Sequence, residues 1–254
     1  MKKSENLALF LDCPEKQIII TSLFFCILSF FTLPFLLLLT SIGTQDPATL
    51  VWFELVYHLI NFIIVVSLFK TYLQDALFLF GSQMKESLMV IRNAVIAIAV
   101  VIGLWYLLAK FTALPFFTIA LYGSLPLSEM DVFLLSVDIV YLNPIPGLIG
   151  MVVLSPVICA CLYYSVAFVP AYNVRPWLGY LVVALLLAFP RLCNALTYWD
   201  PTTEMMLYFA QLPIHLIACW SYKKTDSVCT PILVLASANL LAGIRILVLL
   251  LIGQ

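Results

Sequence analysis

The chemically reactive side chains of this 254-residue chain are few, and most lie inside or beside long apolar runs. The seven cysteines are Cys13, Cys26, Cys159, Cys161, Cys193, Cys219 and Cys229. They form no CxxC pair and no zinc-finger spacing, so the sequence does not predict a disulfide framework. Cysteine in apolar surroundings usually acts as a small packing residue, and we interpret these cysteines in that way.

A second group consists of polar residues embedded in the apolar runs. Its members are His58, Asn93, Arg191, Asn194, His215, Asn239 and Arg245. An ionisable residue inside a membrane helix is a functional candidate, but no apolar run here holds an acidic pair, a HExxH motif or a Ser/Lys dyad. A lone polar residue more often makes an interhelical hydrogen bond. We therefore predict that His215 packs between helices and that Arg191 and Arg245 extend toward lipid headgroups.

The composition predicts that these groups are positioned by helices in a membrane. Hydrophobic residues make up 64% of the chain and charged residues only 10%, and the mean hydropathy is +1.12. A soluble domain carries about 25% charged residues, so lipid must be the solvent for most of this surface. A net charge of −1 argues against nucleic acid as a partner.

The apolar runs predict a polytopic, all-α transmembrane bundle of about seven spans. The predicted spans lie at about 17–40, 50–68, 88–108, 147–168, 177–189, 204–220 and 231–252. The first is predicted to be retained, because several charges precede it and no clean signal-cleavage site follows it. The segment 70–86 is predicted to be amphipathic and interfacial, and 112–141 to be an interfacial or partly re-entrant connection. Pro190 is predicted to stop the short fifth span. If this span does not cross the membrane, the orientation of the spans after it is reversed.

The distribution of basic residues predicts an N-terminus on the inside of the membrane. Nine basic residues fall on that side: Lys2, Lys3, Lys16, Lys70, Lys85, Arg92, Arg175, Lys223 and Lys224. Only Lys110, Arg191 and Arg245 fall on the other side. The same assignment places the acidic residues of the 112–141 connection outside.

A polar loop and the helix after it resemble a known motif. The segment Tyr222–Leu233 reads YKKTDSVCTPIL, similar to the loop Tyr-x-x-Thr-Gly-Ser-x-x-x-Pro-Ile-Leu of the CAAX-protease and bacteriocin-processing (CPBP, or Abi) intramembrane metalloproteases. Asp226 stands at the position of the usual Gly. In that family the loop leads into His-x-x-x-Asn, and here Leu235 and Asn239 stand at those two positions.

The other two family motifs match by spacing and by single residues. Pro-x-x-Glu-Glu-x-x-x-Arg corresponds to the segment that begins at Pro156, where Cys159 and Ala160 stand at the two Glu positions and Tyr164 at the Arg. Phe-x-x-x-His corresponds to Phe189 followed by Cys193 at the His position. The resemblance implies residues 113–254 as a CPBP-like core and residues 1–112 as a preceding unit of spans and interfacial segment.

The substitutions at these positions imply a chain without the family's catalysis. Water attack on a peptide bond requires a carboxylate base and a metal or preorganised donors, which Cys, Ala, Cys and Leu do not supply. Two sharper interpretations remain open. Cys159 and Cys193, with Asn239 or a histidine, could form a soft-metal site, and Cys159 or Cys161 could act as a nucleophile beside a base.

The sequence and the resemblance together favour a catalytically inactive CPBP-like scaffold, regulator or immunity-type factor. It is expected to lie in a bacterial cell membrane, in contact with lipid, and to bind a membrane protein or peptide. We predict no cofactor, no metal and no catalytic residue; Cys159, Ala160, Tyr164, Cys193, Leu235 and Asn239 are vestigial positions. The alternatives are an active CPBP peptidase and a small transporter component, which the absence of an intramembrane acidic residue disfavours.

Overall fold

The computed structural model describes residues 47–112, 149–198 and 201–252, and these ranges contain helices and no strands. Seven helices occur in these ranges: α1 (Pro47–Leu68), α2 (Lys70–Ser82), α3 (Met84–Thr112), α4 (from Gly150 to Val174), α5 (Pro176–Tyr198), α6 (Pro201–Thr225) and α7 (Cys229–Ile252). The all-α prediction is confirmed for this part of the chain. The predicted first span and most of the 112–141 connection lie outside the described residues.

Two of the described helices are long and apolar enough to cross a membrane. They are α3 and the stretch Val152–Val174 of α4. Residues His58–Leu68 of α1 and helix α2 form a third candidate if the pair is counted as one span, and the two helices are bent by 80° at their junction. The bend separates α2 from the apolar run before it, and the interfacial position predicted for segment 70–86 stays a prediction. The prediction of seven spans in two units remains a prediction.

The prediction that Pro190 ends the fifth span is wrong. Helix α5 continues through this proline to Tyr198. Proline lacks the backbone donor and usually breaks a helix, but a helix that packs against neighbours can tolerate it, and α5 has its most extensive contact with α6. The additional turns place Arg191 inside a helix rather than in a loop.

The core is formed where α4 packs against α5, α6 and α7. Helix α6 lies between α5 and α7, and both α6 and α7 also pack against α3. Fully buried core side chains include Tyr164, Phe168, Val183, Ile214 and Val234. Large apolar side chains on the outward faces are exposed instead: Leu59, Ile60 and Ile63 on α1, and Ile96, Val100 and Leu104 on α3. Exposed apolar area of this kind marks contact with a membrane or a partner.

Helix α4 has an unusual backbone. It begins with the π-helical segment Gly150–Leu154, continues through the α-helical segment Ser155–Cys159 and the π-helical segment Ala160–Phe168, and ends in the α-helical segment Val169–Val174. Where the second π segment ends, the Val169 N–H donates to the carbonyl of Tyr164, five residues back. π-helical turns are rare and often occur at functional sites. Nearly every side chain in Ala160–Phe168 is buried.

Helices α4 and α5 approach each other closely at Gly179. A Cβ atom placed there would lie 2.8 Å from Tyr172 Cβ and 2.9 Å from Phe168 Cδ2. These two rings and the ring of Tyr180 form an aromatic cluster with centroids 5.2 to 6.0 Å apart. Glycine is therefore required at position 179 by packing.

The turn between α6 and α7 is short, polar and buried. Asp226 has a φ of 50°, and its N–H donates to the Tyr222 carbonyl at 2.7 Å. The Thr225 hydroxyl donates to Thr230 Oγ1 at 2.8 Å. Ser227 Oγ accepts from the Cys229 N–H and donates to the Ala76 carbonyl of α2 at 3.0 Å. These hydrogen bonds stabilise the end of α6 and the start of α7, and the bond from Ser227 connects the turn to α2.

The left-handed backbone at Asp226 gives a prediction about stability. This conformation is the usual C-terminal end of a helix and favours glycine. We expect Asp226→Gly to raise the free energy of unfolding by about 0.5–1 kcal/mol, since the 3.9 Å ion pair with Lys223 that it removes is partly exposed and worth little. Asp226→Val should lower it by about 1–2 kcal/mol. Thermal unfolding in detergent distinguishes the two, and equal effects would contradict the assigned backbone conformation.

Candidate functional site

Three of the six predicted positions lie on α4, around the start of its second π segment. Cys159 is half-buried, and its Sγ lies 3.9 Å from the Ser155 hydroxyl. Ala160 and Tyr164 are completely buried. The Ala160 methyl group therefore occupies packed core at the position where the resembled family has a glutamate.

The other three positions lie on α5 and α7. Leu235 and Asn239 on α7 are both buried, and α7 packs against the segment of α4 that contains Cys159. The side chain of Cys193 on α5 lies outside the described residues. Helix α5 packs against the π segment of α4, so α4, like α6, contacts both α5 and α7. Convergence of Cys159, Cys193 and Leu235 on one pocket stays a prediction.

A buried hydrogen bond joins Tyr164 to His215 of α6. The Tyr164 hydroxyl and His215 Nδ1 are 2.7 Å apart. The ring of Tyr163 contacts His215 edge-on, with centroids 6.3 Å apart. Two consecutive tyrosines therefore reach the same imidazole from the π segment of α4. His215 packs between helices, as predicted, but its hydrogen bond with Tyr164 was not foreseen.

Arg191 forms the second part of the same polar region. Its Nη1 donates to Glu204 Oε2 at 3.3 Å, and its Nη2 donates to Gln211 Oε1 at 2.9 Å. Arg191 is only 4% exposed, so the prediction that it extends to lipid headgroups is wrong. The physical reason is the continuation of α5 past Pro190, which turns the guanidinium toward α6. A paired, hydrogen-bonded guanidinium can be buried at moderate cost, whereas an unpaired one cannot.

The polar partners on α6 lie along one helical face. Glu204, Gln211, His215 and Tyr222 are spaced at i, i+7, i+11 and i+18, which places them in one row. The row is about 27 Å long at a rise of 1.5 Å per residue, close to the thickness of a hydrocarbon core. This spacing is the sequence feature that could have identified the network, because the rest of the α6 sequence between them is largely apolar.

The C-terminal end of the row, at Tyr222, contains a second set of hydrogen bonds. The Tyr72 hydroxyl of α2 donates to Ser165 Oγ at 2.9 Å and shares a hydrogen bond with the Tyr222 hydroxyl. Ser165 Oγ in turn donates to the Ala160 carbonyl at 3.2 Å. Helix α2 is thereby attached to both α4 and α6 by specific polar contacts.

The donor set at the predicted positions does not fit the catalytic metal that the resemblance implies. The buried methyl of Ala160 and the buried side chain of Leu235 offer no ligand atom. Among the described residues no group of three His, Cys, Asp or Glu side chains is arranged to hold a metal ion. What the polar region can do is stabilise helix contacts through hydrogen bonds that are stronger in low dielectric than in water.

Comparison with protein-family models, with curated proteins and with solved structures gives no match for this chain. The CPBP-like core therefore remains a prediction from the loop Tyr222–Leu233 and from the spacing of the two other motifs. The observed positive φ of Asp226 is the backbone conformation that glycine, the family's residue there, adopts most readily.

Proposed function

We propose that this protein is a non-catalytic, CPBP-like integral membrane protein that binds a membrane protein or peptide within the bilayer, as a scaffold, regulator or immunity-type factor. The proposal has two parts, the absence of hydrolysis and the presence of a binding role. The first part rests on how the resembled active-site positions are occupied, and the second on an exposed face of α7.

The observation that carries the proposal is the packing at Ala160, Tyr164 and Leu235. All three are buried in one core, and the only one with a polar side chain, Tyr164, directs its hydroxyl to His215. A general base must reach a water molecule beside the scissile bond. Here the corresponding space is filled by apolar side chains and by a tyrosine whose hydroxyl already has a protein partner. This arrangement favours a binding role over a catalytic one.

The outward surfaces support a position in the membrane. The exposed apolar faces of α1 and α3 are suited to contact with acyl chains, and α3 and α4 have the length and hydropathy of spans. We propose a polytopic bundle of about seven spans in a bacterial cell membrane with its N-terminus inside, an orientation supported by the nine-to-three distribution of basic residues.

The outward face of α7 is our candidate for contact with the partner. Leu233 and Leu240 are exposed, and Ala236 and Ser237 lie between them on the same face. Small residues allow another membrane helix to approach closely. The Ser237 hydroxyl already donates to the Leu233 carbonyl at 2.7 Å, so it adds no unsatisfied donor to such a contact.

We expect cellular function to survive loss of the thiols and to fail when the α7 face is obstructed. In a host with a measurable deletion phenotype, Cys159→Ala and Cys193→Ala should complement fully, because neither thiol is required for binding. Ala236→Trp should abolish complementation at equal membrane expression. Leu181→Trp, at an exposed position of α5, is the matched control and should complement.

Loss of complementation in either cysteine variant would favour a metal or nucleophile role for that thiol and would contradict the proposal. Full complementation by Ala236→Trp would exclude α7 as the partner-binding face.

A further inference from the structure

Helix α2 and two helix junctions meet at one end of the described bundle. The α6–α7 turn is attached to α2 through Ser227 Oγ and the Ala76 carbonyl. Tyr222, near the end of α6, shares a hydrogen bond with Tyr72 of α2. The α4–α5 junction joins them because Lys223 Nζ lies 4.6 Å from the centre of the Tyr172 ring. Helix α2, the α4–α5 junction and the α6–α7 junction therefore share one surface.

This surface collects most of the basic side chains of the described residues. We use the name basic end for the set of five residues Lys70, Lys85, Arg175, Lys223 and Lys224. All of them except Lys223 are exposed. The acidic residues nearby are Asp75, Glu86 and Asp226, of which Asp226 is paired with Lys223. Lys110, at the far end of α3, lies on the opposite side of the bundle.

The outward face of helix α2, beside these cations, has polar residues near its start and apolar residues near its end. Lys70, Gln74 and Phe78 follow one another at intervals of four residues and are all exposed. Phe78 is 82% exposed and its neighbour Leu77 is 61% exposed. Aromatic and aliphatic side chains that extend from a helix flanked by lysines are typical of helices that lie in the membrane interface. The 80° bend from α1 would place α2 close to the membrane plane if α1 crosses it.

We propose that α2 is an in-plane interfacial helix and that the basic end binds the headgroups of anionic phospholipids, while Leu77 and Phe78 insert among the acyl chains. This inference rests on the membrane location given under the proposed function but not on the absence of catalysis. The complementary charges supply attraction to the phosphates. The side-chain hydrogen bonds of Tyr72 and Ser227 hold α2 against the bundle. Its apolar and basic side chains would then contact the same leaflet of the bilayer.

The first test uses the full-length protein in a nonionic detergent. Dioleoylphosphatidylglycerol should raise the midpoint of thermal unfolding in a saturable way, and dioleoylphosphatidylcholine should not. The variant K70Q/K85Q/K224Q, altered only at exposed positions, should require at least about tenfold more of the anionic lipid for half of the effect, since each of the three removed cations contributes up to about fivefold. K110Q at the opposite end and the charge-conserving K70R/K85R/K224R should behave as the parent protein.

Equal stabilisation by the two lipids, or an unchanged half-saturating concentration in K70Q/K85Q/K224Q, would overturn the proposal. A second measurement tests the position of α2 independently. The tryptophan of Phe78→Trp, in phosphatidylcholine vesicles, should add fluorescence. This fluorescence should be quenched most by lipids that carry bromine on the acyl-chain carbons nearest the headgroups. Strongest quenching by bromine at the bilayer centre would mean that α2 continues across the membrane and would also overturn the proposal. A peptidase activity, if found, would leave both results unaffected.

Discussion

Replacing Arg191 with methionine should lower the free energy of unfolding by roughly 3 kcal/mol, because it removes a buried ion pair with Glu204 and a hydrogen bond to Gln211. The two hydrogen bonds from the guanidinium measure 3.3 and 2.9 Å. The expected loss is near the lower end for buried pairs, since the Glu204 side chain retains 15% of its exposure. Thermal or denaturant unfolding in detergent measures the effect.

The double variant Arg191→Met with Glu204→Gln separates the ion pair from the packing of the arginine stem. It should recover part of the lost stability, because it removes the negative charge that the Arg191 guanidinium compensates. Arg175→Met, at an exposed arginine, should change stability by less than about 0.5 kcal/mol. If Arg191→Met and Arg175→Met had equal effects, Arg191 would not be buried between α5 and α6.

Gly179→Ala should destabilise the protein by about 1–3 kcal/mol, and Gly179→Leu by more. The added Cβ would lie 2.8 Å from Tyr172 Cβ and 2.9 Å from the Phe168 ring, and Phe168 is fully buried and cannot move aside. Helices α4 and α5 would have to separate, which would disturb the aromatic cluster with Tyr180. The midpoint of unfolding and the near-ultraviolet circular dichroism of the tyrosines should both change.

Gly103→Ala is the matched control for this prediction. Gly103 also lies inside a helix, but a Cβ atom there would have no neighbour within 4 Å. Alanine has the higher helix propensity, so this variant should be neutral or more stable by about 0.5–1 kcal/mol. A result in which the two glycine variants change stability in the same direction and by similar amounts would contradict the close approach of α4 and α5.

The helical segments could largely be predicted from the sequence, because an apolar run of about 20 residues is typical of a helix that crosses a membrane. The predicted span at 231–252 corresponds to α7 at Cys229–Ile252, and the predicted span at 88–108 lies within α3. The end of α5 could not be predicted, because proline breaks isolated helices but is tolerated in packed ones. Whether a neighbour packs against it is a tertiary property.

The contacts of the site were less accessible to sequence reasoning. His215, Arg191 and Tyr164 each appear in the sequence as single polar residues in apolar surroundings. Nothing in the neighbouring sequence indicates that Tyr164 and Arg191 both find their partners on α6. The π segment Ala160–Phe168 adds to the difficulty, because it changes the register in which Tyr163 and Tyr164 face α6. The regular spacing of Glu204, Gln211 and His215 on α6 was the available indication, and it predicts a polar face without naming its partners.

The central claim, that the protein does not hydrolyse peptides, is tested most directly by assaying the purified protein with zinc against prenylated and leader-type peptides. Lack of a positioned base costs about 10²–10⁴ in rate, and lack of an oxyanion donor about 10²–10³. With Cys159, Ala160, Cys193 and Leu235 at the corresponding positions, we predict no cleavage above the uncatalysed rate, with or without metal. Cleavage that is lost in Cys159→Ala or Cys193→Ala would contradict the account.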